Sequence, residues 1–248
     1  MTTLAAVVGS EEWRLAAWNL NKVHLDDPLT QFHKKFWGKE EKVRWSDDVE
    51  VDADGDDIGP HCYPEDIGIQ GIEEKIWIRA DYIRIFEYAQ KFYAESLSNP
   101  QPLSPCLVIT GQPGIGEFAD VITLVLLTYQ IPCLGKTTWR WYALRVCCAQ
   151  KKPVIFYANG SCWLFVKEGV YRQPPNFEPR YYKIVIWTLV DSADLDLSLP
   201  TGLTSLGTQH FVIYTTSPTQ SRWKKIHQTM LRILCVMNPW TKAEIHKA

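Results

Sequence analysis

The sequence holds no Cys-x-x-Cys pair, no Gly-x-Ser-x-Gly turn, and no His spaced with Cys or carboxylates as a metal-ligand set. Those gaps argue against a His/Cys metal centre and against a nucleophile elbow. No nucleophile–base arrangement stands out elsewhere. Seven Cys is an odd number, and Cys147-Cys148 are adjacent, which does not suit a disulfide framework. Buried, reduced thiols are expected, as in an intracellular protein. Charge of one sign is also lacking: the net charge is −2, so no global basicity advertises nucleic acid or an acidic membrane. Met1–Gly9 lacks the basic start and the long apolar run of a signal peptide. The longest apolar stretch, Val121–Leu134, is interrupted by Thr, Tyr, Gln and Pro and falls short of the ~20 residues a spanning helix needs. The expected location is therefore intracellular, cytoplasmic or nuclear, with no membrane contact.

What is present is a core-building chain: 248 residues, 46% hydrophobic, with 11 Trp. Residues 1–69 read as a Trp-rich and then acidic N-terminal region, partly disordered. Weak helical spacing runs through Trp13–Trp18 and Leu29–Trp37. Asp47 to Asp66 then crowd carboxylates among Gly and Pro, where like charges repel and no apolar period supports packing. Asp52-x-Asp54-x-Asp56 has the start of a calcium loop. Its sixth position is Asp57 rather than Gly and its twelfth is Tyr63 rather than Glu, so calcium is not expected.

From residue 70 the pattern alternates strands with helices. Lys75–Arg79 reads as a short strand, and Asp81–Leu97 has apolar residues at helical spacing until Pro100. Cys106–Thr110 is a continuous apolar run between Pro105 and Gly111, as in a buried parallel strand. Thr138–Ala149 is helical in pattern. Val154–Tyr157 and Cys162–Val166 are strands joined at Asn159-Gly160, a pair suited to a tight hairpin. Strands follow at Ile184–Val190, Phe211–Tyr214 and Leu231–Met237, with helices starting near Pro218 and Thr241. The expected class is α/β with a mostly parallel sheet flanked by helices.

One motif carries chemistry, and it is broken. Gly111-Gln112-Pro113-Gly114-Ile115-Gly116 spells the first six positions of G-x-x-x-x-G-K-[ST], but Glu117-Phe118 follow. Lys136-Thr137 comes only after Gly135. Without residues 117–135 the text reads GQPGIGKTTWRWYALRV, a complete P-loop entering a helix. Such a loop turns backbone N–H groups around phosphate oxygens, its Lys reaches the β- and γ-phosphates, and the next hydroxyl holds Mg²⁺. The 19 residues 117–135 look foreign. Their ends echo the motif, and their apolar texture suits neither a surface loop nor an amphipathic helix. Their codons can also carry a splice donor at Gly116-Glu117, a branch site at 127–129 and an acceptor at 134–135, in that order. Retained intron is one reading and a genuine insertion the other.

For the chain as written, Glu117 stands where the lysine belongs. Two unit charges ~4 Å apart interact by roughly 4 kcal/mol at an effective dielectric of about 20, so replacing attraction by repulsion costs several decades in affinity. Nothing in the sequence brings Lys136 back. Weak or absent ATP binding is the expectation, with binding restored on deleting 117–135.

The second half of a nucleotide site is read in Ile184–Asp191, an apolar run ending in an acid that serves Mg²⁺. Ser192 follows where hydrolysing members with an added strand place a Glu. The hydroxyls of Thr215-Thr216-Ser217 sit at a strand tip, where they either sense a γ-phosphate or simply end the strand. Ser221–His227 sets basic residues beside Trp223, which reads as a solvated helical face, with nucleic-acid contact as the alternative.

These residues resemble the P-loop NTPase family of Crinkler and retrotransposon-hot-spot (RHS) type proteins, in its fungal branch. The likeness rests on Ile76-Trp77-Ile78-Arg79-x-Asp81-Tyr82, VITGQPGIG with the later KT, and FYANGSCWLFVKEGVY at 156–171. It continues through WTLVDS at 187–192, the strand–TTSP–SRW segment at 211–223 and CVMNPWTKAEI at 235–245, and so covers roughly residues 72–248. The resemblance implies a P-loop NTPase-like domain over 70–248, here interrupted and C-terminally truncated, with ATP and Mg²⁺ as cofactors and ATPase activity. It assigns phosphate binding to Gly111, Gln112, Pro113, Gly114, Ile115, Gly116, Lys136 and Thr137, the metal to Thr137 and Asp191, and catalysis to Lys136 and Asp191. A non-catalytic interaction protein on a degenerate P-loop fold is the alternative, with a protein or nucleic acid as partner.

Overall fold

The computed structural model describes residues 2–39, 78–98, 103–111, 136–158, 160–192, 195, 199–218, 223, 226 and 229–239. Three short helices come first: α1 (Leu4–Val8), α2 (Glu12–Leu20) and α3 (Pro28–Phe36). Asp27 caps α3 by accepting from the Leu29 N–H at 2.8 Å, and Pro28 takes the first helical position, where its missing N–H costs nothing. Then follow α4 (Ala80–Ser98), β1 (Ser104–Gly111), α5 (Lys136–Ala149), β2 (Val154–Ala158), β3 (Ser161–Val166) and β4 (Gly169–Arg172). The chain continues with β5 (Ile186–Asp191), α6 (Thr201–Thr204), β6 (His210–Thr215) and β7 (Met230–Met237).

The strands form one seven-stranded sheet in the order β4-β3-β2-β5-β6-β1-β7. β2, β5, β6, β1 and β7 run parallel, while β3 is antiparallel to both β2 and β4. This is the α/β class with a mostly parallel, mixed sheet flanked by helices. Gly160, at φ +71°, lets β2 return as β3 within a tight hairpin.

Side chains alternate between the two faces of each strand and so build separate cores. On one face Leu107, Ile109, Phe156, Trp187, Leu189, Phe211 and Ile213 pack against α3, α4 and α5. On the other face α1 and α2 cover the β2–β4 end, with Trp18 fully buried among Tyr171, Phe177 and Tyr182. A third cluster sets Cys106, Val108, Val190, Val212 and Tyr214 against Leu203, Ile226 and Met230. The described part of the N-terminal region thus shares its apolar faces with the sheet. It also closes an edge: Val23 N–H donates to Val170 O at 3.0 Å and Arg172 N–H to Asn21 O at 2.9 Å, pairing backbone that β4 would otherwise leave open.

The expected elements at 81–97, 106–110, 138–149, 154–157, 162–166, 184–190, 211–214 and 231–237 all have observed counterparts, shifted by a few residues at most. Of the strand expected at Lys75–Arg79, Ile78 and Arg79 lie outside any strand, and Lys75–Trp77 fall outside the described residues. β4 had no separate signal. The acidic stretch 47–66 and the helix near Thr241 fall outside the described residues. Among the described residues no helix is long and apolar enough to cross a membrane.

Candidate functional site

Parallel strands present their C-terminal ends on one edge, and there the register aligns the residues singled out from sequence. Asp191 stands opposite Thr215 on β6, Thr215 opposite Ile109 on β1, and Ile109 opposite Cys235 on β7. β6 therefore separates the Asp191 strand from the Gly111 strand by two inter-strand spacings, roughly 10 Å. Thr216, the next residue after β6, donates its N–H to Ile109 O at 2.9 Å, so the strand tips are tied together just below Thr110 and Gly111.

Lys136 is the first residue of α5, and its Nζ donates to the Gly111 carbonyl at 3.3 Å. Nothing in the sequence predicts this return, and packing supplies the reason. Trp139, Ala143 and Cys147 recur at four-residue spacing and are buried in the same core as Leu107 and Ile109. Burying that face beside β1 fixes the start of α5 near the strand tip whatever residues join the two elements.

Burial lowers the Lys136 pKa, and the negative charge of Asp191 acts in the opposite direction. The two groups therefore feel each other across the edge. Asp191 is 4% exposed and falls on the α5 side of the sheet, two residues beyond Leu189, which packs in that core. Thr137 is half-buried in the first turn of α5. A helix N-terminus adds unsatisfied N–H groups and the positive end of its dipole. The described edge so gathers one ammonium, one carboxylate, a hydroxyl and a helix start.

Gly111 has a second reason to be glycine. A Cβ there would stand 2.8 Å from Met237 O and 3.1 Å from Met237 Cβ, so β7 lies directly against the strand tip. Gln112, Pro113, Gly114, Ile115 and Gly116, and the segment 117–135, fall outside the described residues. Among the described residues no group of three His, Cys, Asp or Glu could hold a metal. Mg²⁺ bound with a nucleotide does not need one, since one or two carboxylates, waters and the phosphates complete its shell. Asp191 and Thr137 fit that donor set.

The turn at Trp223 packs partly against the third cluster, with the Arg232 guanidinium over its ring at 4.8 Å. Its basic neighbours Arg222, Lys224 and Lys225 are outside the described residues.

Sequence reasoning missed a polar clamp beside the site. Asp81, in the first turn of α4, accepts from Asn238 N–H at 2.9 Å, Asn238 Nδ2 at 3.1 Å and Arg84 Nε at 2.7 Å. Arg79 donates to Asn238 O and Pro239 O, and Arg84 Nη2 to Val236 O at 2.9 Å. The i, i+3 spacing of Asp81 and Arg84 is visible in the sequence; their partner at the end of β7 is not.

No family model, curated protein or solved structure matches the chain.

Proposed function

We propose that the edge formed by β5, β6, β1 and the start of α5 binds the phosphate tail of ATP together with Mg²⁺. The observation that carries this reading is the contact of Lys136 Nζ with Gly111 O at 3.3 Å, with Asp191 on the same sheet edge and face. Lys136 supplies a charge that a phosphate oxygen can replace Gly111 O in meeting. Asp191 and Thr137 would hold Mg²⁺, which neutralises phosphate charge when bound. An added strand, β6, lies between the loop strand and the acid strand. ATPase activity is the activity this site would support.

Glu117 adds repulsion next to Gly116, so the full chain is expected to bind Mg-ATP weakly, and the chain lacking 117–135 more tightly. Calorimetry with Mg-ATP on both chains tests the reading. Unchanged affinity on Lys136→Ala in whichever chain binds, or no binding by either, sinks it.

A second reading, a non-catalytic interaction protein on the same fold, draws on Leu234 and Val236. They are 42% and 55% exposed on the edge strand β7. Absence of any Mg-ATP response in both chains leaves that reading standing.

A further inference from the structure

We infer that Asp81 is a positioning residue for the tip of β1: through one turn of α4 it holds the end of β7 and the start of α5 around Gly111 and Lys136. Its bearing on nucleotide binding rests on the reading proposed above, while its effect on Lys136 does not.

β7 is an edge strand with β1 as its neighbour in the sheet. Its last residues need other partners to stay in place, because a strand end paired on one side frays easily. The Asp81 carboxylate meets that need twice at one residue, taking both the backbone N–H and the side-chain amide of Asn238. Bonds to a charged acceptor are the stronger kind, and Asp81 is only 7% exposed, which strengthens them further. Arg79, 3% exposed, holds the following carbonyls of Asn238 and Pro239 from the same turn. Next to Asn238 is Met237, whose carbonyl lies where a Cβ on Gly111 would collide. The clamp thus sets how closely β7 presses on Gly111.

The same turn of α4 also reaches the other side of the tip. Trp139, one helical turn beyond Lys136 and fully buried, donates its indole N–H to Tyr82 O at 3.0 Å. Asp81 and Tyr82 are adjacent, so a shift of this turn moves both Met237 and the start of α5. The bond from Lys136 to Gly111 requires both to stay put. Ile78-Arg79-x-Asp81-Tyr82 and Met237-Asn238-Pro239, two segments on which the sequence resemblance rests, supply the two halves of this device.

The test is the full chain carrying Asp81→Asn, with Asn238→Ser as a milder variant that keeps the backbone bond. The swap Asp81→Asn/Asn238→Asp should restore the 81–238 pair: the new amide donates to the new carboxylate and its oxygen accepts the backbone N–H, while Arg84 gives up its bond to residue 81 and keeps the one from Nη2 to Val236 O. Competitive acetylation read by mass spectrometry reports the reactivity of Lys136 against exposed Lys91 in the same molecule. Loss of the clamp is expected to raise Lys136 labelling about fivefold, the worth of roughly one hydrogen bond, and to weaken Mg-ATP binding by a similar factor. The swap returns both toward the parent value. Lower thermal stability with Lys136 labelling unchanged, or a swap that fails to rescue labelling, overturns the inference. If Asp81→Asn does not fold, Asn238→Ser decides on the same labelling criterion. Altered labelling in a protein that binds no Mg-ATP leaves the positioning role intact and removes the nucleotide reading alone.

Discussion

Lys136 donates its ammonium to the carbonyl of Gly111, a residue 25 positions earlier in the chain, at 3.3 Å. The contact brings Lys136 and Gly111, the first residue of the Gly111–Gly116 motif, to one strand tip. The contact is made by a group that burial already inclines to shed its proton, and Asp191 opposes that loss.

Removing the acid should therefore be felt at the lysine. In Asp191→Asn, Lys136 is expected to titrate at a lower pH than in the parent, because the charge that favours its protonated form is gone. The pH profile of Lys136 acetylation measures this. An unchanged or upward-shifted profile contradicts the pairing. In whichever chain binds Mg-ATP, Lys136→Ala should cost roughly 10- to 100-fold in affinity, the range for a hydrogen bond to a charged group.

Gly111→Ala tests the contact with β7. The added Cβ would meet backbone, Met237 O at 2.8 Å, which cannot rotate away. A loss of ~1–3 kcal/mol in urea unfolding is expected, as for overpacking elsewhere. A neutral substitution would mean that the end of β7 yields freely.

His210 makes stability depend on pH. It is fully buried, its Nδ1 lies 2.7 Å from Thr188 Oγ1, and burial pushes its pKa down to about 3. Between its unfolded value near 6.5 and the folded value, the unfolded chain carries one more proton than the native protein. Stability from this residue is complete above pH ~6.5 and falls as pH drops toward 3, with a slope approaching ~1.4 kcal/mol per unit. Other carboxylates titrate in the same window, so the quantity to follow is the difference between the parent and His210→Gln. Relative to that variant, the parent should lose stability progressively below pH 6. A constant difference from pH 7 to 4.5 would place the imidazole in contact with solvent.

Trp18→Ala examines whether the N-terminal helices fold with the sheet. Trp18 is fully buried, with ring centroids 5.1 Å from Phe177 and 6.3 Å from Tyr182. A loss of ~3–5 kcal/mol is expected, in a single transition seen alike by far-ultraviolet dichroism and by tryptophan fluorescence. A small, separate transition would mark these helices as an independent unit.

Much of the sheet was legible because its signal is local. The apolar run Cys106–Thr110 within β1 is bounded by Pro105 and Gly111, and α4 and α5 carry long apolar periods within one element. β4 was not, since Gly169–Arg172 is four residues long and gains its place only by pairing with β3. α2 and α3 gave only weak spacing. Their apolar residues answer to different faces of the sheet, Trp18 to one and Phe32 to the other, and the sequence does not say which.

By itself, the sequence determined the α/β class, the positions of most strands and helices, and two motif fragments with an acid-terminated strand downstream. Residue type and spacing act over a few positions, and those conclusions need no more. Tertiary structure alone decided that Lys136 returns to Gly111, that Asp191 comes within reach of its charge, and that Asp81 grips Asn238 157 positions away. These relations depend on strand order and register. The sheet sets both by burying two faces at once, so residues remote in the chain become neighbours through the cores they share.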